Sequence, residues 1–454
     1  MTTLIDAARR DDSEILKSLI DSKADLDAVD DSGRTALMWA VANGYATSTK
    51  MLIDAKANVN VRDNDGSTLL IHAAGDGRLA CVNLLIDAKA EIDAGDATLN
   101  TALMTAAIHG HASCVELLIH LRANIEMRDN DGFSALLMAA YPGYADCMQL
   151  LIDANANVDA CDKHNTTALM LSALHGHVDC VRLLLDSDVD IEAVNDKGYT
   201  AVMMSARHGH SDCLQLLIDA RVDVDASDAS GITALHRAAA NNQVDCVRRL
   251  IAANADLNAQ VDHGMTALHQ AAVNGHTDCL QLLLDAKADL EIGDEDKWTP
   301  LMWAVMQGFV ECARRLIAEY ADVAATDYSD WTALHHALRT AHTDCVQLLI
   351  DAKADVETVD VAGCTVLMTA AECESHEALQ LVINRMLEVA ESDEARPSSE
   401  GWSPGSDWES DTEFASESCS EFDSESGSEF DFESGSESDL EPSLERRKRK
   451  RIGQ

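Results

Sequence analysis

Residues 228–260 read Asp228-Ala-Ser-Gly-Ile-Thr-Ala-Leu-His-Arg-Ala-Ala-Ala-Asn-Asn-Gln-Val-Asp-Cys-Val-Arg-Arg-Leu-Ile-Ala-Ala-Asn-Ala-Asp-Leu-Asn-Ala-Gln260. The Asp and Gly at its start suit a tight turn, because Asp bonds its own downstream backbone and Gly tolerates positive φ. Thr233 then stands where a helix N-cap is wanted, its hydroxyl placed to accept from the first free amides of a short helix through Ala238 and Ala239. A second helix follows, with Cys246, Leu250 and Ile251 at helical spacing on its apolar side. The same order extends in both directions. Thr233 has equivalents at Thr35, Thr68, Thr101, Thr167, Thr200, Thr266, Thr299, Thr332 and Thr365, all in a 33-residue register, and Ser134 fills the one gap. One small unit has been copied many times, which predicts a stack of short helix pairs with hairpin fingers. Each helix is marginal alone at about ten residues, so stacking must supply the burial. Alanine pairs such as Ala106-Ala107 and Ala271-Ala272 allow the close approach.

The chain of 454 residues carries a net charge of −45. Residues 391–454 hold 19 acidic and 7 basic residues, a net of −12, which leaves −33 for residues 1–390. Such a surface repels nucleic-acid phosphates and acidic membranes and favours protein partners with a basic surface; it also keeps a long stack soluble. No apolar run is long enough to span a bilayer, and the first residues lack the layout of a signal peptide, so a soluble intracellular protein is expected. Nine of the thirteen cysteines, from Cys81 to Cys345, obey the 33-residue register. Equivalent positions in stacked units are about one helix-packing distance apart, roughly 8–10 Å, beyond disulfide reach. They read as small buried hydrophobes in reduced form.

The units resemble ankyrin repeats. The signature Thr-Pro-Leu-His of that family is matched by Thr233-Ala-Leu-His236, Thr266-Ala-Leu-His269 and Thr332-Ala-Leu-His335, with the proline kept at Pro300, while Met38, Met104, Met170, Met203, Met302 and Met368 stand in for the histidine. The resemblance covers residues 1–390 and implies an all-α ankyrin-repeat stack of about twelve units, an α-solenoid with short β-hairpin fingers. Units 1–29 and 360–390 are the expected caps. It also implies that finger tips and inner helices line a concave face that grips partners.

The residue after the turn Gly, or after Lys297 and Asp330 at the same position, is apolar in six units: Phe133, Tyr199, Ile232, Met265, Trp298 and Trp331. A row of such residues on adjacent fingers is a candidate strip of binding anchors; its folding account is that each ring packs flat on the next finger. A second candidate set precedes each Gly-His step and includes His109, Tyr141, His175, Arg207, His208, Asn241, Asn274, Gln307 and Arg339. Trp39 and Trp303 read as core filling. His-Gly-His occurs at 109–111, 175–177 and 208–210, but no Cys or carboxylate stands beside it at ligand spacing, so no metal site is expected. No phosphate loop, nucleophile elbow or zinc-protease motif is present, and the recurrent Asp residues follow the register. We expect no enzyme, no cofactor and no small-molecule substrate.

From Glu391 the composition turns to Ser, Glu, Asp and Gly, so residues 391–445 are expected to form a disordered acidic tail. Ser418, Ser420 and Ser428 each have an acid three residues on and are candidate phosphorylation sites. Arg446, Arg447, Lys448, Arg449, Lys450 and Arg451, within the basic segment 446–454, have the form of a nuclear localisation signal. The whole reads as a non-enzymatic interaction scaffold, nuclear and/or cytoplasmic. Its order of repeats then acidic tract resembles the inhibitory ankyrin proteins that hold Rel-type transcription factors. A ubiquitin-ligase substrate adaptor, or a chaperone of basic proteins acting through the tail, are the alternatives.

Overall fold

The computed structural model describes residues 3–261, 263–372 and 375–394. Among them are 24 helices, from Leu4–Arg9 to His376–Glu394, alternating between an inner and an outer row as twelve helix pairs. Inner helices pack on the inner helices of the units on either side, and outer on outer. The fingers contain almost no strand: the described residues show isolated bridges such as Val29 to Thr35 and Ser227 to Thr233.

Each inner helix is short, six to eight residues, because both of its ends are fixed by side chains. Where methionine follows two residues after the first helical position, the threonine hydroxyl accepts its amide, as Thr35 does from Met38 and Thr101 from Met104, both at 3.3 Å. Thr233 departs from that expectation. Its hydroxyl lies 2.9 Å from His236 Nδ1, which also accepts the Thr233 amide at 3.4 Å. The proton is therefore on Nε2, which donates to the Ala259 carbonyl at 3.0 Å. Burial holds the pKa of His236 and His269 down at about 4, so both rings are neutral.

The other end depends on the Gly-His step. Gly143 has φ +83, and a Cβ there would sit 2.4 Å from His177 Nδ1 of the next unit. That imidazole occupies the space and its Nε2 donates back to the Tyr141 carbonyl at 3.1 Å. His111, His210 and His276 make the same bond to Gly75, Leu174 and Ala240. These histidines are thereby committed to joining units.

Behind the two rows the core is continuous, with Cys246, Val247 and Leu250 of the outer helix Val244–Ala252 fully buried. The nine register cysteines are buried and free, and burial pushes Cys180 and Cys246 up to about 12. They stay protonated and pack as apolar side chains.

At the loop edge a second lattice links the units. The side-chain oxygen of Asp27 accepts the Asn58 amide, Asn60 that of Glu91, Asp93 that of Asn124, and so on to Glu291 and Asp322, nine such rungs among the described residues at 2.8–3.1 Å. The next residue in that series is Ala324, which has no oxygen to offer. The stack closes on a helix that runs to Glu394, past the sequence-based limit of 390, since no following unit dictates its stop and Glu388–Glu394 contains neither Gly nor Pro. Met368, whose counterpart Met38 is 1% exposed, is 48% exposed at this end.

Candidate functional site

In several fingers the first Asp does more than make a turn. One oxygen of Asp228 accepts the amides of Ser230 and Ile232 at 2.9 and 3.0 Å, while the other accepts Arg237 from the inner helix at 2.7 Å. The same clasp, always over nine residues, joins Trp39 to Asp30, His72 to Asp63, Trp303 to Asp294 and His336 to Asp327 at 2.8–2.9 Å. Trp39 and Trp303 are thus hydrogen-bond donors at the finger root as well as packing residues, Trp39 being only half-buried. Burial and the donor together tune the acid: Asp30, bonded to the Trp39 indole and the turn amides and near Arg9, has a lowered pKa. Burial works to raise the Asp63 and Asp327 carboxyls, but the histidine rings and turn amides outweigh it and their pKa falls below the ordinary value. Beside the neutral indole of Trp303, burial prevails and the Asp294 pKa is raised.

The predicted strip is divided by this framework. Phe133 and Met265 are 2% and 3% exposed, so their side chains are packed between fingers and offer no free surface. The expectation of an open anchor fails there because Gly132 brings the next finger into contact: a Cβ on Gly132 would meet the Lys163 amide at 2.8 Å. Tyr199, Ile232, Trp298 and Trp331 remain half-exposed. Tyr199 stacks under Arg237, 4.6 Å from its guanidinium. Trp331 donates its indole N–H to Asp360 at 3.0 Å and lies beneath the Arg339 guanidinium at 5.3 Å.

One region stands apart. Val261, Met265 and Trp303 form an apolar cluster separate from the main core, with Ile232, Val273, Trp298 and Met306 packed on it and partly exposed. It continues through Trp298 against His336 at 4.0 Å and His336 against Trp331 at 5.3 Å. An aromatic and apolar wall therefore lines the inner face of the units headed by Thr233, Thr266, Thr299 and Thr332. Sequence reasoning found Ile232, Met265, Trp298 and Trp331 but missed Val261. Its signal was available: Val261 stands where the other fingers of the series have Asp or Asn.

The second candidate set is partly spent on folding. Tyr141 is buried, edge-on to His175 at 4.7 Å. Asn241 and Asn274 are exposed, but each caps its own helix, donating to the carbonyls of Arg237 and Gln270 at 2.8 Å. His109 Nδ1 lies 2.8 Å from the Thr105 carbonyl. Arg207 and His208 are half-exposed and Arg339 is exposed. Ser418, Ser420, Ser428 and the block from Arg446 to Arg451 lie outside the described residues.

Six overlapping stretches of the chain, 4–96, 43–129, 103–195, 187–261, 259–327 and 322–393, match the family model described as ankyrin repeats (3 copies). Among solved structures the chain is similar to the ankyrin repeat domain of Bcl-3, described as a unique member of the IkappaB protein family. Identity is 31%, the match covers 45% of this chain and 94% of that chain, and the TM-score is 0.42. A search of curated proteins gave no match. The family matches run from residue 4 to residue 393 over the stacked helix pairs just described, and the chain belongs to the ankyrin-repeat family.

Proposed function

We propose that this protein is a non-enzymatic interaction scaffold that holds a partner protein on its inner face, through the wall formed by Ile232, Trp298, Met306 and Trp331. The observation that carries this reading is the second apolar cluster. Seven residues gather outside the main core on one stretch of the inner face, four of them partly open to solvent. Aromatic residues clustered at an accessible face are the usual energetic centre of protein interfaces. The net charge of −33 over residues 1–390 favours a basic partner and speeds its encounter.

Affinity capture from cell extract by the full chain tests the reading. Trp298→Ala combined with Trp331→Ala should release partners that the unaltered chain retains, by about tenfold or more in affinity. Unchanged capture would sink it. We also propose that the basic block from Arg446 to Arg451 directs the scaffold to the nucleus, where it acts as a regulator. Replacing the six cations with alanine should leave the protein cytoplasmic, and an unaltered distribution would dismiss that part alone.

A further inference from the structure

Within the wall, one unit breaks the clasp that its neighbours keep. Val261 replaces the finger Asp, and nine residues on stands Gln270, at the position of the donors Arg237, Trp303 and His336. Gln270 is 0% exposed. Its amide N–H reaches only the Met265 sulfur, at 3.8 Å, and among the described residues its side-chain carbonyl has no hydrogen-bond partner. Leaving a buried acceptor unpaired costs about 1–3 kcal/mol, and an Asp at 261 would have engaged the amide. Folding alone gives no reason for this exchange of a clasp for a bare apolar floor. What it produces is a patch whose floor is Val261, whose cover is Met265 and Met306, and whose deepest polar atom faces no protein donor. Methionine side chains move aside more readily than branched or aromatic ones.

The rim adds a sign. Glu295, Asp296 and Asp330 are exposed on the adjoining fingers. Of the nearby cations, Lys297 sits over the Tyr328 ring at 4.6 Å and Arg339 over Trp331 at 5.3 Å. We propose that this patch receives one bulky apolar side chain of a partner segment whose flanks are lysine and arginine. Displacement of Met265 lets a partner N–H bond the Gln270 carbonyl. The assignment rests on the inner face being the partner surface, and it adds the chemistry of what that surface selects.

The test uses the full-length chain and short fluorescein-labelled peptides, read by fluorescence anisotropy at physiological salt. A peptide with a central leucine between lysine- and arginine-rich flanks should bind. Changing that leucine to serine should weaken binding by about tenfold or more, and glutamate flanks should abolish it. Val261→Asp restores the clasp of the fingers at Asp228, Asp294 and Asp327, so it should fold with an equal or higher Tm and bind the leucine peptide at least about tenfold more weakly. Gln270→Met removes the unpaired acceptor; it should raise Tm and also weaken the peptide. Equal binding of the leucine and serine peptides, or full retention by a folded Val261→Asp chain, overturns the proposal and leaves surface charge as the whole effect. The two readings separate in one case in particular. If the paired tryptophan substitution releases captured partners while Val261→Asp keeps both partners and peptide, the inner face stands and this assignment alone falls.

Discussion

His236 and His269 carry a pH dependence that the methionine units lack. Burial holds both near a pKa of about 4, against about 6.5 in an unfolded chain. Between those values the unfolded chain binds protons that the folded one does not, so stability is present above pH 6.5 and is lost as pH falls toward 4. From pH 7 to pH 5 each ring should cost roughly 2 kcal/mol of local stability. Urea unfolding at both pH values checks this. His236→Met with His269→Met, the residue this chain uses at Met38 and Met104, should remove the part of the slope due to these two rings and leave that of His210, His276 and His335, which burial also lowers, and an unchanged slope would refute the assignment. At this scale the sequence told part of the story. The turn Asp and capping Thr were legible because each acts within four residues of itself. The clasp was not, since it links a turn to a helix across nine residues and leaves no periodic trace in hydropathy. Only donors recurring at one register position, Trp39, His72, Arg237, Trp303 and His336, could have revealed it. Asp162 shows what happens without one: Leu171 stands at the donor position, and among the described residues the second carboxylate oxygen has no hydrogen-bond partner.

At the scale of the helix and its turn, the outer helices end on a residue with left-handed backbone. That residue is Lys23, Lys56, Lys89, Arg122, Asn155, Lys287 or Lys353 in successive or later units, with φ between 58 and 73, where glycine carries least strain. A non-glycine residue there costs roughly 1–2 kcal/mol, part of which a glycine returns through the greater entropy of its unfolded chain. Lys56→Gly and Lys89→Gly should therefore each stabilise by about 0.5–1 kcal/mol, additively, in thermal or urea melts. A loss of stability would show that the lysine side chains contribute more than their backbone costs. A lysine in such a place reads from sequence as solvated surface, so this strain was not foreseen. Fingers were harder still. The residue after the turn has one register but several environments, and Phe133 is covered where Trp298 is half-open, because exposure depends on what the next finger places against it.

For the whole molecule, repetition made the fold legible and the interface only partly so. A period of 33 residues fixes which helix meets which, whereas the wall arises where neighbouring units differ together, at Val261, Met265 and Trp303. The same comparison of unit against unit marks a junction that lacks its rung. Nine amide-to-side-chain rungs tie the loops together as far as Asp322, and Ala324 breaks the series before Asp355. Ala324→Asn should supply the missing acceptor and stabilise the last units by about 1 kcal/mol. Hydrogen exchange in residues 355–390 would slow by roughly fivefold if so, and an unaltered rate would show that the rung carries no weight.

That missing rung also decides how the molecule would yield as a mechanical element. Drawn out from its two ends, a stack without insertions releases equal lengths of chain, roughly 100 Å for each unit of 33 residues once the folded thickness is subtracted. The sequence of ruptures need not be random, since the joint at Ala324 lacks the loop rung that the nine before it keep and relies instead on the bond from Trp331 to Asp360. Tension relieved at this joint first would part Trp331 from Asp360, while the units that carry Val261, Trp298 and Trp303 stayed stacked.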